Sequence, residues 1–192
     1  AGVTEYLWHG LGFGGSCFPK DVAALRSFGR TVGEQTRMLD AVLDINTDQP
    51  LRMVALLEKE LSLAGKTVAV LGLAFKPGTD DLRESPALPL VAELRKKGAK
   101  VLVHDPIAMP HAKKRPEFRD VVFAEDWAEA LRKSDACCLV TAWPEYRNIQ
   151  PTNFQKLMTR ALVIDGRGVF EPAAMAAAGV VWRGVGYTPE ST

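Results

Sequence analysis

The chain has 192 residues, of which 47% are hydrophobic and 24% are charged, and its formal net charge is +1. This near-neutral balance argues against a nucleic-acid partner, which usually needs a clustered basic face. No segment approaches the ~20 apolar residues needed to cross a membrane, and three cysteines are too few for a disulfide framework. We therefore expect a reduced, cytoplasmic protein with one core domain and an attached helical segment, and we predict no metal site.

The first third of the chain predicts a loop followed by helix. Residues 1–20 are rich in glycine and aromatic residues, and a helical region is predicted from about residue 19 to residue 63, where apolar residues recur every three or four positions. Pro50 should kink or restart this helix, and Gly65 lies where a helix would stop. The apolar positions from residue 33 to residue 63 are numerous enough to predict a subunit interface as well as a linker.

From residue 66 the chain alternates between short apolar strands and helices. Strands are predicted at 67–73, 100–104, 121–123, 136–140, 162–164 and 180–183, with helices at 86–97, 127–133 and 153–158. This alternation predicts an α/β fold with a doubly wound parallel sheet and right-handed crossovers. We therefore divide the chain into residues 1–64, which hold the loop and the helical segment, and residues 65–192, which form the sheet domain.

A glycine-rich loop at residues 10–21, GLGFGGSCFPKD, places a cysteine just before a predicted helix start. The partial positive charge of a helix N-terminus favours a thiolate at Cys17. Lys20 and Asp21 follow on the same side of that helix, so the segment can supply a nucleophile and a carboxylate that orients water. A buried structural cysteine beside a glycine turn is the alternative that the residues themselves leave open.

A second segment, AFKPGTDDLRESP at residues 74–86, links the first strand to the next helix. Ser85 suits a helix N-cap and Pro86 the first helical position, so free backbone N–H groups should face this loop. Such a helix start is where open α/β sheets bind phosphates, and Lys76 and Arg83 could supply the countercharge. Salt bridges with the neighbouring carboxylates are an equal alternative for both cations.

The glycine fingerprint of NAD-binding sheets, GxGxxG, does not follow the first predicted strand, where Gly72 and Gly78 are the available glycines. Asp105 ends the second strand, where a ribose ligand would lie, but an aspartate before proline is more often a turn. The crevice of this sheet is therefore expected to bind something other than NAD.

Three segments resemble the UDP-glucose/GDP-mannose dehydrogenase family: GFGGSCFPKD at 12–21, FKPGTDDLRESPA at 75–87 and VIDGR at 163–167. The resemblance implies a Rossmann-like fold, NAD as cofactor, a UDP-sugar as substrate and a homodimer formed through the central helices. It also implies that the family's N-terminal NAD-binding domain is missing from this chain. The CFPKD form resembles the UDP-glucose enzymes more than the GDP-mannose or UDP-N-acetylmannosamine enzymes.

In this family the cysteine attacks an aldehyde at C6 of the sugar, the thiohemiacetal is oxidised to a thioester, and water hydrolyses the thioester to the acid. The resemblance implies that Cys17 is this nucleophile and that Asp21 assists the water. Implied substrate contacts are Tyr6, Leu7, Gly10, Phe13, Gly14, Phe75, Lys76 and Arg167, and implied cofactor contacts are Lys20 and Arg83. A non-catalytic module that binds a nucleotide sugar, and a cysteine hydrolase, are the alternatives from other functional classes.

Overall fold

The computed structural model describes residues 9–187, and three helices open the described chain. They are α1 (Phe18–Thr31), α2 (Arg37–Asp48) and α3 (Leu51–Glu58). The prediction that the helix restarts at Pro50 is confirmed. The prediction of one helical region up to residue 63 is wrong at two places, because Gly33 turns the chain with φ +79° and because α3 ends five residues early.

Strands and short helices alternate in the rest of the described chain. They are β1 (Thr67–Leu71), α4 (Ala87–Lys96), β2 (Lys100–His104), α5 (Met109–Ala112), a 3₁₀ turn (Pro116–Phe118), β3 (Val122–Phe123), α6 (Trp127–Leu131), β4 (Ala136–Leu139), α7 (Pro144–Arg147), α8 (Pro151–Leu157), β5 (Leu162–Asp165), α9 (Pro172–Ala177) and β6 (Val181–Gly184). The predicted strands are confirmed to within two residues at each end. Helices α5, α7 and α9 were not predicted, because four to six residues are too few to show a helical period.

The strands form one parallel sheet in the order β3-β2-β1-β4-β5-β6. This order confirms the doubly wound α/β fold. From β1 the chain continues to β2 and β3 on one side of the sheet, and from β4 it continues to β5 and β6 on the other side. The loops that follow β1 and β4 therefore diverge at the carboxyl ends of these two neighbouring strands. Ligands of open α/β sheets bind in the crevice that this divergence leaves.

The core lies around β1 and β4, where residues 68–71 and 136–139 are all buried. Helix α3 joins this core through Met53, Val54 and Leu57. The Glu60 carboxylate then pairs with Arg160 at 3.0 Å and with Arg183 at 2.6 Å, which fastens the end of the helical segment to the sheet. None of the helices within residues 9–187 is long and apolar enough to span a membrane.

Candidate active site

The glycine loop that precedes α1 lies across the carboxyl ends of the parallel strands. Leu11 is buried against Gly166, which follows β5, and a Cβ added at Gly166 would come within 2.5 Å of the leucine side chain. At the other end of the loop the Gly15 N–H donates to the Arg83 carbonyl, which follows β1, at 2.8 Å. The loop therefore spans the crevice between the two halves of the sheet.

Two amide side chains of α2 hold the main chain of this loop. Asn46 accepts the Phe13 N–H at Oδ1 (2.7 Å) and donates from Nδ2 to the Phe13 carbonyl (3.1 Å). Gln49 donates to the Gly10 carbonyl at 2.9 Å. Neither residue was predicted from the sequence, in which two amide side chains three residues apart, just before Pro50, fit a solvated helix face equally well.

Cys17 lies at the residue before α1, and its carbonyl accepts the first helical bond, from the Asp21 N–H at 2.9 Å. Its thiol is exposed, and the Ser16 hydroxyl oxygen lies 3.7 Å from the sulfur. The predicted position of Cys17 just before a helix is therefore confirmed. The alternative of a buried structural cysteine is wrong, because the buried cysteines are Cys137 and Cys138 in β4.

Lys20 and Asp21 form an ion pair in the first turn of α1. The Lys20 ammonium lies 2.5 Å from Asp21 Oδ1, with the two side chains 72% and 63% exposed. The hydrogen bond to Asp21 raises the pKa of Lys20 above its ordinary value, and the negative charge of Asp21 raises it further. The Lys20 ammonium is therefore cationic throughout the neutral range. It lies in the first turn of α1, three residues after Cys17.

Arg83 is held by a carboxylate two residues before it in the chain. Its guanidinium donates to both oxygens of Asp81 at 2.8–3.1 Å, and the Arg83 N–H donates to the same side chain at 2.9 Å. The hydrogen bond from Arg83 lowers the pKa of Asp81, although partial burial acts in the opposite direction. The salt-bridge alternative is therefore confirmed for Arg83, but this does not remove it from the site.

A cleft of about 790 Å³ brings Cys17 together with both predicted cofactor contacts. Its walls include Cys17, Lys20, Arg26, Asp44, Thr47, Arg83 and Glu84. Three of these side chains are cationic and two are anionic. The cleft can therefore accept part of a phosphate-bearing ligand beside the thiol.

The loop after β1 packs directly on the glycines of the cysteine loop. A Cβ at Gly14 would overlap the Glu84 carbonyl and approach Phe75 to 3.0 Å, and one at Gly15 would lie 2.9 Å from the Phe75 ring. Glycine is therefore required at both positions by this close approach. Lys76 extends over the Phe75 ring, with Nζ 5.4 Å from the ring centroid.

Arg167 lies at the end of β5 and is brought against the start of the same loop. Its N–H donates to Asp165 at 2.9 Å and its Nε to the Val140 carbonyl at 2.7 Å. A Cβ at Gly10 would lie 2.8 Å from the guanidinium. Burial lowers the pKa of Arg167, with the charge of Asp165 acting in the opposite direction. The structure thus joins Gly10 with Arg167 and Gly14 with Phe75.

The start of α4 differs from the sequence-based expectation of free N–H groups. The Ser85 hydroxyl accepts the Ala87 N–H at 3.2 Å and donates to the Leu73 carbonyl at 2.6 Å. The Leu88 N–H bonds to the Ser85 carbonyl, and Pro86 has no N–H. The prediction of free donors at this helix start is therefore wrong, because the first turn is buried and its N–H groups are already used.

Asp105 serves the turn rather than a ribose. Both of its oxygens are occupied within the fold: Oδ2 accepts from Leu73, Ala74 and the Trp143 indole, and Oδ1 accepts from the two N–H groups that follow Pro106. The side chain is 1% exposed. It stabilises the loop after β1, and the turn interpretation is confirmed.

Two of the predicted substrate contacts, Tyr6 and Leu7, lie outside the described residues. Phe13 lies inside them, partly buried, with its ring edge-on to that of Phe18 at 4.6 Å. Across residues 9–187 no group of three or more histidine, cysteine or acidic side chains is arranged to hold a metal ion.

Comparison with known proteins places these features in a family. The sequence model for the UDP-binding domain of the UDP-glucose/GDP-mannose dehydrogenase family matches residues 69–172. The model for the central domain of the same family matches residues 2–48. The two matches lie on either side of α3 and the turn that follows it.

Individual relatives agree with the family models. UDP-glucose 6-dehydrogenase AglM of Haloferax volcanii is 45% identical over 166 residues, which cover 86% of this chain and 38% of the relative. UDP-glucose 6-dehydrogenase TuaD of Bacillus subtilis is 38% identical over 187 residues, or 95% of this chain and 40% of the relative. The solved structure of a UDP-glucose dehydrogenase from Pyrobaculum islandicum superposes with a TM-score of 0.76 at 42% identity, covering 83% of this chain and 35% of that one.

The chain thus spans 38–40% of the length of these two curated relatives. The family model for the UDP-binding domain covers more than half of the chain, and the two matches together include the cysteine loop, α1, α2 and most of the sheet. The chain belongs to the UDP-glucose/GDP-mannose dehydrogenase family.

Proposed function

We propose that this chain is part of an NAD-dependent nucleotide-sugar 6-dehydrogenase that oxidises UDP-glucose to UDP-glucuronate. The observation that carries the proposal is the position of Cys17. Its exposed thiol stands at a helix N-terminus and opens on a cleft shared with Lys20 and Arg83. The curated relatives that are 38–45% identical are UDP-glucose 6-dehydrogenases, which favours UDP-glucose over GDP-mannose or UDP-N-acetylmannosamine.

In the proposed mechanism the C6 alcohol of the sugar would first be oxidised to an aldehyde, with one NAD as the hydride acceptor, and the Cys17 thiolate then adds to this aldehyde and forms a thiohemiacetal. Loss of a second hydride, for which a second NAD would be the acceptor, and of a proton converts the thiohemiacetal to a thioester. Water then attacks the thioester, which releases the carboxylate and returns the thiol. Asp21 lies one turn along α1 from Cys17, so its exposed carboxylate can orient this water.

The substrate contacts proposed for this chain are Tyr6, Leu7, Gly10, Phe13, Gly14, Phe75, Lys76 and Arg167. Among the described positions, Gly10 and Gly14 allow Arg167 and Phe75 to approach the main chain of the cysteine loop closely. Phe75 and Arg167 follow β1 and β5, at the sheet edge where ligands of such folds collect. Lys76 is exposed beside Phe75, where its ammonium can reach a diphosphate.

The residues of the cleft fit one end of NAD rather than the whole dinucleotide. Lys20 and Arg83 present cations to the cleft, and their carboxylate partners leave each with further N–H donors. The loop after β1 lacks the glycine fingerprint that seats a pyrophosphate. NAD supplies the hydride acceptor for this chemistry, and we propose that most of its binding site belongs to a domain outside this chain.

A helical surface accounts for the proposed homodimer. Most of the exposed large apolar side chains lie within the first fifty-one residues: Phe18, Leu25, Phe28, Val32, Met38, Val42, Ile45 and Leu51. Patches of this kind usually bind another protein. We propose that a second copy of the chain covers this helical surface, which would make residues 1–64 a linker and an interface, and residues 65–192 the UDP-sugar-binding domain. A cytoplasmic location stays a prediction, supported by the three free thiols.

The proposal is tested by adding UDP-glucose and excess NAD to the purified chain. We expect no sustained NADH absorbance, because the chain provides only part of the cofactor site. Calorimetry should still detect UDP-glucose binding. Replacing Lys76 or Arg167 by alanine should weaken that binding by roughly 1–3 kcal/mol, the scale of a lost charge-assisted hydrogen bond.

Lys156→Ala on α8 is the matched control and should leave the affinity unchanged. Unaltered affinity in both Lys76→Ala and Arg167→Ala would refute the substrate assignment. Sustained turnover by this chain would show that the NAD site has been misplaced. Tighter binding of GDP-mannose or UDP-N-acetylmannosamine than of UDP-glucose would move the chain to another branch of the family.

A further inference from the structure

Hydrogen bonds from Asn46, from Gln49 and to the Arg83 carbonyl hold the main chain of the cysteine loop. Of the loop glycines, Gly12 and Gly15 have φ values of +93° and +85°, in the left-handed region that few other residues adopt. A loop with this much glycine has many alternative conformations when it is released. Something must therefore select the conformation that delivers Cys17 to the start of α1.

Asn46 makes two of the hydrogen bonds that select it. Its side-chain amide pairs with both the N–H and the carbonyl of Phe13, at 2.7 and 3.1 Å, as a neighbouring strand would. Phe13 is four residues before Cys17, and its ring packs edge-on against Phe18 immediately after Cys17. The amide thus fixes the residue whose side chain contacts the first residue of α1.

The fit between Asn46 and the loop is close on a second side. A Cβ at Gly12 would overlap the Asn46 amide oxygen, so a glycine is required there for contact as well as for its φ angle. No residue of α2 is fully buried, so this helix is not simply packed into the core. Asn46 lies on its partly buried side, and the exposed apolar side chains of Val42, one turn earlier, and Ile45 lie beside it.

We propose that Asn46 is a positioning residue that holds Cys17 at the N-terminus of α1 by pairing with the main chain of Phe13. The inference rests on the proposed role of Cys17 as the nucleophile, but it concerns the geometry of the thiol and can be measured without turnover. The hydrogen bonds of the Asn46 amide go to the main chain of Phe13, whereas the neighbour of the Cys17 sulfur is the Ser16 hydroxyl. Asn46 acts through the loop, and it couples α2 with its exposed apolar surface to the reactive cysteine.

The test compares three variants of the chain. Asn46→Ala removes both hydrogen bonds. Asn46→Asp keeps an acceptor for the Phe13 N–H but turns a second oxygen towards the Phe13 carbonyl, so it should retain part of the effect. Asp48→Ala changes an exposed residue of the same helix and serves as the control.

Two rates are recorded for each variant by mass spectrometry: amide hydrogen exchange in residues 10–17 and alkylation of Cys17 by iodoacetamide. In Asn46→Ala we expect exchange about tenfold faster, because the loop opens locally. Alkylation should be about threefold slower, because the thiol is released from its exposed position at the N-terminus of α1. Asn46→Asp should fall between Asn46→Ala and the parent chain, and Asp48→Ala should match the parent.

An alkylation rate in Asn46→Ala that equals or exceeds the parent rate would overturn the proposal. If Asn46→Ala does not fold, the isosteric Asn46→Asp decides the question by the same two rates. A third measurement separates this inference from the proposed function, namely protection of Cys17 by UDP-glucose. If the parent chain shows no protection, the substrate assignment fails, while the rates without ligand still decide the role of Asn46.

Discussion

Helices α1 and α2 differ from strands β1 and β4 in how many of their residues are buried and in what they contribute to the protein. In α1 and α2, Gly29 is the one residue that is buried, whereas every residue of 68–71 and 136–139 is buried. The strands therefore supply the hydrophobic stability of the fold. Helix α1 begins directly after Cys17 and carries the Lys20–Asp21 pair, and α2 supplies the hydrogen bonds from Asn46 to the cysteine loop. Both helices leave apolar side chains exposed. The difference teaches that the reactive region depends on a few polar contacts and on whatever covers its surface.

The largest expected effect contrasts the cysteines of the two regions. Burial raises the pKa of Cys138 to about 12 and that of Cys137 well above its ordinary value. A thiol with a pKa near 12 is a thiolate in about one molecule in ten thousand at pH 8, and both buried sulfurs are closed to reagent. Cys17 should therefore be alkylated at least about a thousandfold faster in the native protein.

Peptide mass spectrometry after timed iodoacetamide treatment measures these three rates, and the urea-unfolded chain is the control in which they should converge. Comparable rates for the three cysteines in the native protein would contradict the assignment of Cys17 as the exposed nucleophile. They would also show that the thiols in the sheet are as accessible to the reagent as the thiol beside α1.

A pair of leucine substitutions measures the same contrast as stability. Leu71 in β1 is fully buried, so Leu71→Ala should lower the free energy of unfolding by about 2–5 kcal/mol. Leu25 in α1 is 57% exposed in a single copy, so at concentrations where the chain is monomeric Leu25→Ala should change it by less than about 0.5 kcal/mol. Urea titrations followed by circular dichroism give both values. Equal losses would mean that the helical region is as tightly packed as the sheet.

The sheet was predictable because its strands are short apolar runs separated by helices that end in glycine or begin with proline. Residues 100–104 and 136–140, for example, are apolar enough to be read as strands of a parallel sheet. The presence of Phe75 and Arg167 at one edge of the sheet also follows from this fold, because they come after β1 and β5 and parallel strands end at one edge. Their contacts with Gly14 and Gly10 do not follow from it, because the cysteine loop precedes the sheet in the chain.

The hydrogen bonds from Asn46 and Gln49 to the cysteine loop could not be predicted in the same way. Asn46 contacts a residue 33 positions away, and Gln49 one 39 positions away. An amide on a helix fits a solvated face equally well, so neither residue type nor spacing distinguishes the two roles. The buried start of α4 escaped prediction for a related reason. Its N–H groups are satisfied by Ser85 itself, which local sequence marks as a helix cap but not as buried.

The proposed dimer tests whether the exposed helical surface is a real interface. Phe28 is 62% exposed in α1, and Phe28→Asp should convert a dimer into a monomer, because a charge would be buried without a partner. Ile107→Asp alters an exposed apolar residue outside this surface and should leave the mass unchanged. Light scattering at tens of micromolar reports the mass. A monomeric parent chain at that concentration would count against the interface.

The smallest expected effect lies at the border of the two regions, where Arg83 joins the sheet to the cysteine loop. Its hydrogen bonds lower the pKa of Asp81 from the ordinary 3.8. A carboxyl whose pKa is lower in the folded state stabilises the fold above its unfolded pKa, and this contribution is lost as pH falls through the folded value. Because the Arg83 side chain is 64% exposed, solvent screens the pair and the contribution is small. On acidification from pH 6 to pH 3, Asp81→Asn should therefore lose slightly less stability than the parent chain.

Urea midpoints at the two pH values measure the difference, with Asp48→Asn as the control for removal of one carboxylate. Equal losses in Asp81→Asn and the parent would show that the pairing of Arg83 with Asp81 contributes nothing to the fold, and a larger loss in Asp81→Asn would show that folding raises the pKa of Asp81.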